Sequence, residues 1–461
     1  MRNFLGVYAL AWALGGAASA QQPDPTKSDS TKSDSTKSAK PKPPDPFAFA
    51  DFTWVNGNSR AHSSPLDTKW FTPEIRVDVN FVSDFNRPKD HTLDGAAEMG
   101  RTSEFQLQQF GIGGDFHYDN VRARLMTQFG AYSTETPRDD ASPSRGQFDL
   151  ADAYRYISEA YGGYHFDVMD GMNIDVGIFD SYIGLFSYYN ADNWAYQPSY
   201  VSANTPWFFN GMRVQMFPSP KLKVEFWLIN GWQSYGMFNS SPGYGTQILW
   251  RPNGNISALS NDYWGYDDLG APSRSRIHSD DSFLMKYYDS PNSLWDKSAF
   301  SFTFDIGCEF GDHVNCAKAG PGRPQQYFVG FMLYDRNWFY HDHFGITVGG
   351  GAINNPGRYL VLPPPINGAT AAVPSPYFTF NPGDQFHAWD ASISFDWAPN
   401  DFFMFRIEPD RRGASVPYFV GRQGITPAGG NTGNPAATVP GFTPDLVKEE
   451  MRINFAVLVK M

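Results

Sequence analysis

Charged residues of one parity recur along this chain, set among apolar ones of the other parity. In TPEIRVDVNFV, Glu74, Arg76 and Asp78 alternate with Ile75, Val77 and Val79. Arg122 and Arg124 alternate with Val121, Ala123 and Leu125, and Asp390 and Asp396 with Trp389, Ile393, Phe395 and Trp397. Arg213 and Arg406, the latter two residues before Glu408, stand in similar runs. Residues two apart share one face of an extended chain. Rows of guanidinium facing carboxylate across a narrow passage create a transverse field that orders water and sorts solutes by charge and dipole. The same rows, paired with one another, form a ladder of salt bridges that stiffens a wall. At the level of sequence both readings stand.

A second candidate is residues 181–207, SYIGLFSYYNADNWAYQPSYVSANTPW, rich in rings and amides, with Asp192 its one formal charge. Exposed on a surface, so many rings invite aggregation, so the segment is expected to fold inward and narrow a passage. Tyr188, Tyr189, Trp194 and Tyr196, with Asn190 and Asp192, would then offer stacking faces and polar contacts to sugars or amphipathic solutes. The alternative is that the rings simply pack the segment against a wall. Cys308 and Cys316 in CEFGDHVNC are most simply a disulfide, the other reading being a metal site with His313. The pairs Asp139–Asp140, Asp267–Asp268 and Asp280–Asp281 are expected in or beside outer loops. No G-x-S-x-G occurs and no His is in strand register with a candidate Ser, so the expectation is no enzyme, no catalytic residue, no cofactor and no metal.

The elements that position these residues are strands. Period-two segments number about sixteen, the first near 72–83, the third near 120–132, the tenth near 281–290 and the last at 450–461. Connections alternate in length. Short ones such as PSPK, RPNG and PN are followed by long ones at 84–103, 133–152, 181–207, 233–243, 265–280, 308–324, 353–385 and 413–449. Short turns at one end and long loops at the other suit a transmembrane antiparallel up-and-down β-barrel, and not a soluble sandwich. The expected fold is therefore all-β. The closing EEMRINFAVLVKM reads as the strand that pairs with the first and leaves no edge exposed to lipid, with Leu458 alone spoiling its alternation. Trp207–Phe209, Trp227, Trp250, Trp264 and Asn337–Tyr340 are expected in aromatic girdles.

Residues 1–20, with Arg2, an apolar run from Phe4 to Leu14 and Ala18-Ser19-Ala20, read as a signal peptide. Residues 21–46, built on a TKSDS repeat, read as a solvated periplasmic linker. Residues 47–461 read as one barrel domain, and 47–57 as an extra strand, a plug or a periplasmic lead-in, the last favoured because an added strand would break the even count. A net charge of −12 argues against nucleic acid as partner.

FTPEIRVDVNFVSDFNRPKDHTL, the stretch from Asp175 to Pro218, GTQILWRPNGNIS and GGGAINNPGRYLVLPPPINGAT resemble the putative β-barrel porin-2 (OmpL-like) family. The resemblance covers most of the chain after about residue 47 and implies a porin-like barrel of a Gram-negative outer membrane. The expectation is passive diffusion of small hydrophilic solutes. A structural or adhesive barrel with a closed lumen, or a barrel-embedded hydrolase, is the alternative. Expected partners are outer-membrane lipid and lipopolysaccharide, the barrel assembly machinery and a homo-oligomer. Such barrels usually end on an aromatic residue read by that machinery, and Met461 departs from the pattern.

Overall fold

The computed structural model describes residues 45–316 and 320–461, so the predicted signal peptide and the linker to residue 44 lie outside the described residues. Sixteen strands close into one antiparallel barrel. The first four are β1 (Phe71–Asp84), β2 (Phe105–Tyr118), β3 (Val121–Thr127) and β4 (Ile157–Phe166). β5 (Met172–Asp180), β6 (Phe208–Ser219), β7 (Leu222–Ile229) and β8 (Gly243–Asn253) follow. Then come β9 (Ile256–Gly265), β10 (Ser275–Asp289), β11 (Trp295–Phe310) and β12 (Tyr327–Phe339). β13 (Phe344–Asn355), β14 (Phe386–Asn400), β15 (Phe403–Ala414) and β18 (Glu449–Lys460) complete the wall. Two further strands, β16 (Phe419–Val420) and β17 (Leu446–Val447), pair with each other in the last long loop.

β18 lies between β15 and β1, with Val79 opposite Val457 and Phe81 opposite Phe455. Every wall strand thus has two neighbours, and lipid meets no unpaired edge. Connections at one end are short, at 119–120, 167–171, 220–221, 254–255, 290–294, 340–343 and 401–402; those at the other are long.

Along β1 each inward residue is buried and each outward one partly exposed. Leu458 breaks the alternation of β18 because it faces inward, where it joins Val82, Leu93, Met404 and Tyr196 in a small apolar cluster.

Three expectations are corrected, two of strand boundaries and one of the aromatic girdles. β3 stops at Thr127, not near 132, because Gly130 turns the chain at φ +105, where a Cβ would meet the Leu107 carbonyl at 2.5 Å. β10 starts at Ser275 and not near 281, so Asp280 lies well inside the strand and not in the preceding loop. Asp280 faces inward and is fully buried, whereas Asp281 faces outward and accepts 2.6 Å from Ser260 Oγ. The polarity of both faces hid the first residues of this strand from a period-two reading. In the third case, Trp207, Phe209, Trp227 and Trp338 are buried inside, while Trp250 and Trp264 stay on the outer face. Cys308 and Cys316 form a disulfide with Cα atoms 5.1 Å apart, tying the end of β11 to the following loop.

Residues 47–57 add no strand to the wall. They fold as turns, with Trp54 and Val55 1% exposed. The largest apolar cluster joins them to inward residues of β8–β12 (Leu249, Leu259, Leu284, Ala299, Met332) and to long-loop residues such as Leu185, Trp194, Val361 and Phe419. The barrel is filled.

Candidate functional site: the lumen and its inward loop

Residues 181–207 leave the end of β5 and fold into the lumen. Their ring, amide and carboxylate side chains are all buried. Apolar burial alone leaves a loop free to slide; its placement is set by hydrogen bonds to the inward charges of the wall.

On the first and last strands, Arg76 donates to Asp192 at 2.8 Å and also to Glu74, with its guanidinium 3.8 Å from the Tyr189 ring centroid. Lys460 lies 3.3 Å from the same Asp192. Asp78 accepts from Tyr196 OH at 2.7 Å and from Asn190 Nδ2 at 3.1 Å. Arg406 donates to both oxygens of Asp396 (2.6 and 2.9 Å) and to the Asn193 carbonyl (2.7 Å), and Arg336 donates to Asp396 at 2.6 Å. Glu408 accepts from the backbone N–H groups of Tyr196 and Gln197, at 2.6 and 2.7 Å. Asp390 accepts from Ser199 Oγ and Tyr200 N, at 2.7 and 2.9 Å. Inward residues of β1, β12, β14, β15 and β18 thus grip successive residues of one loop.

On β2–β6 the charges pair with one another. Arg124 donates to Asp115 and Glu159 at 2.8 Å and to Glu74 at 3.0 Å. Asp175 is shared by Arg213 at 2.7 Å and Arg122 at 3.2 Å. Arg213 also lies over the rings of Tyr161, Phe179 and Trp227. Tyr188 OH donates to Gln128 and Tyr189 OH to Glu159, at 2.7 and 2.9 Å. Trp194 Nε1 donates to the Trp54 carbonyl at 3.1 Å, and its ring meets Trp338 edge-on.

All of the inward charges named from the sequence line this interior, and residues 188–196 are its inner loop. Sequence reasoning missed Glu159, Arg336, Gln197, Arg452 and Lys460, which complete the network. Lys460 and Arg452 were readable, since both hold the inward parity of the closing strand. Segment 47–57, for which a plug was one of three readings beside the favoured lead-in, also enters the interior through Phe52, Trp54 and Val55.

Above the loop, toward the long-loop end, sit Asp94, Glu98 and Glu135. Burial raises Asp94 and Glu98 to about 7, offset in part by Arg138 and Arg412 at Asp94 and by Arg412 and Arg452 at Glu98. Burial, with the charge of Glu98, raises Glu135 to about 8. Among the described residues no group of three His, Cys, Asp or Glu side chains is placed to hold a metal.

Several solved structures are similar in fold. An anion-selective porin from Comamonas acidovorans is 10% identical with a TM-score of 0.48, over 85% of this chain and 99% of that one. The outer membrane channel DcaP of Acinetobacter baumannii is 12% identical with a TM-score of 0.46, over 85% and 96%. Pseudomonas putida OprB, in its high-pH structure, is 11% identical with a TM-score of 0.46, over 87% and 100%. No curated protein matches the chain. The family model described as putative beta-barrel porin-2, OmpL-like, matches residues 75–439, from the first strand into the last long loop. With that match spanning most of the chain and the closed barrel around it, this protein belongs to the porin-2, OmpL-like family of outer-membrane β-barrels.

Proposed function

We propose that the chain is an outer-membrane channel for passive diffusion of small hydrophilic solutes, with residues 181–207 setting its narrowest point. The observation that carries this reading is the seating of that loop. It crosses the lumen bonded to charges from β1, β12, β14, β15 and β18, where a loop with only a surface role would lie outside. Asp192 meets two cations there, Arg76 and Lys460. The wall charges act both as structural bridges and as the field at the narrowing. Because short turns face the periplasm in such barrels, the linker 21–46 is periplasmic and the long loops meet lipopolysaccharide.

A homo-oligomer is supported by one feature of the outer wall. Thr246, Ser260, Asp262, Ser279 and Asp281 form a polar, hydrogen-bonded patch on β8–β10, where lipid contact is unfavourable and a second copy fits better. A closed structural barrel is the second reading, favoured by the packed interior. Single-channel recording on the refolded mature chain and on a form lacking residues 45–62 separates the two, with heat-modifiable gel mobility confirming folding. Conductance steps from at least one of the two forms are expected. A folded barrel silent in both forms would sink the channel reading.

A further inference from the structure

The segment before β1 lies across the short-turn end of the barrel. Phe47 N donates to the Pro220 carbonyl in the turn between β6 and β7, at 2.8 Å. Trp54 Nε1 donates to the Gly254 carbonyl in the turn between β8 and β9, at 3.1 Å. Arg60 then donates to the Phe403 carbonyl at the start of β15. His62 meets Asp401 in the turn between β14 and β15, through its backbone N–H at 3.1 Å and its ring at 2.9 Å. Around the sixteen-strand ring, eight strands separate the first turn from the last on either side. The segment therefore follows a diameter of the mouth.

Its centre is pushed upward into the lumen. Phe52, Trp54 and Val55 pack in one cluster with Leu249, Leu259 and Leu284, apolar residues that face inward on β8–β10. Arg251 lies 4.4 Å from the Phe52 ring centroid and 5.1 Å from that of Phe47. From above, the inner loop comes down to meet it. Trp194 N donates to Asn56 Oδ1 at 2.7 Å, and Gly57 N donates to the Asp192 carbonyl at 3.0 Å, with Gly57 at φ +80. Where Arg60, Asp192, Asp401 and Lys460 converge, a cavity of about 10 Å³ remains, room for about one water.

From this geometry we infer that residues 47–62 are a displaceable strap that closes the periplasmic mouth, and that solute passes only when it swings out. The inference rests on the channel reading. The strap shares no strand ladder with the wall; isolated hydrogen bonds, a cation–π clasp and one apolar wedge hold it. Such contacts can be released together without opening the barrel, whose own backbone is fully paired around the ring. The wall keeps inward leucines where a permanently wet lumen would be polar. Those leucines form the strap's seat.

The test uses three forms of the mature protein: the full chain, the form lacking residues 45–62, and Trp54→Ala. A Val55→Cys substitution, placed in the full chain and in the Trp54→Ala background, reports strap position through a membrane-impermeant maleimide. The native cysteines are paired, so only the new thiol reacts. The expected result is a time-averaged conductance at least about tenfold higher in the deletion and in Trp54→Ala than in the full chain, which is the effect of removing a wedge of this size. The introduced thiol is expected to label slowly in the full chain and rapidly in the Trp54→Ala background. Equal, steady conductance in all three forms would overturn the strap while leaving the channel intact. A folded barrel silent even without the strap would overturn both readings. Labelling of that thiol as fast in the full chain as with Trp54→Ala would overturn the closed position of the strap, whatever the conductance.

Discussion

Two sides of the same lumen hold their contents by opposite means. On the seam side, β14, β15, β18 and β1 grip the inner loop with buried ions: Arg76 and Lys460 on Asp192, Arg406 on the Asn193 carbonyl, Asp390 on Ser199 and Tyr200, and Glu408 on two backbone N–H groups. On the facing side, β8–β10 offer Leu249, Leu259 and Leu284 to Trp54 and Val55, with little directional bonding. Desolvated charges fix one geometry, and losing a partner is costly because the other stays buried and unpaired. Apolar packing tolerates sliding and release. The inner loop is thus built to stay and the strap to move.

The comparison breaks most strongly at Arg406. Arg406→Met leaves the Asn193 carbonyl unmatched and Asp396 with Arg336 alone, and is expected to cost about 3 kcal/mol or more of barrel stability, read from the denaturation midpoint. Trp54→Ala sharpens the contrast from the other side. Strap attachment weakens by about 2–3 kcal/mol, yet the denaturation midpoint of the barrel stays put, since the strap contributes no wall pairing. A smaller effect tests whether charge near the long loops behaves as it does at the seam. Asp94, Glu98 and Glu135 are raised by burial to about 7, 7 and 8. An acid whose folded-state value is raised favours the fold at low pH and loses that advantage as pH rises toward the folded value. Arg138, Arg412, Arg452 and Arg101 offset this only in part, and Glu450 opposes them. Segments 85–104 and 128–156 should therefore loosen by roughly 2–4 kcal/mol for each carboxyl that titrates between pH 5 and pH 8. Hydrogen exchange, corrected for its intrinsic pH dependence, should rise there and not at residues 190–200; uniform change in both would defeat the assignment.

The barrel was legible in the sequence because a wall between lipid and water imposes a period of two, and Glu74-Ile75-Arg76-Val77-Asp78 states it openly. The inward loop was legible from its rings, since 181–207 could not stay exposed. The strap was not. Its seat depends on inward apolar residues such as Leu249 in Gln247-Ile248-Leu249-Trp250, where both faces of the wall are apolar and alternation carries no information. Likewise Asp281 lies outward beside an inward Asp280, and a run polar on both faces looks like a loop. Which inward charge meets which loop residue was also hidden, because Asp192 and Lys460 are brought together only by closing the ring.

That last contact bears on the order of assembly. Asp192 bonds Arg76 on the first strand of the barrel and Lys460 on the last, so one carboxylate spans the seam. A chain still being threaded into the membrane, with β18 not yet docked, lacks the Lys460 half of this clasp, and Asp192 is left with Arg76 alone. Docking of the last strand therefore supplies the final charge contact of the inner loop as well as the final pairing of the wall.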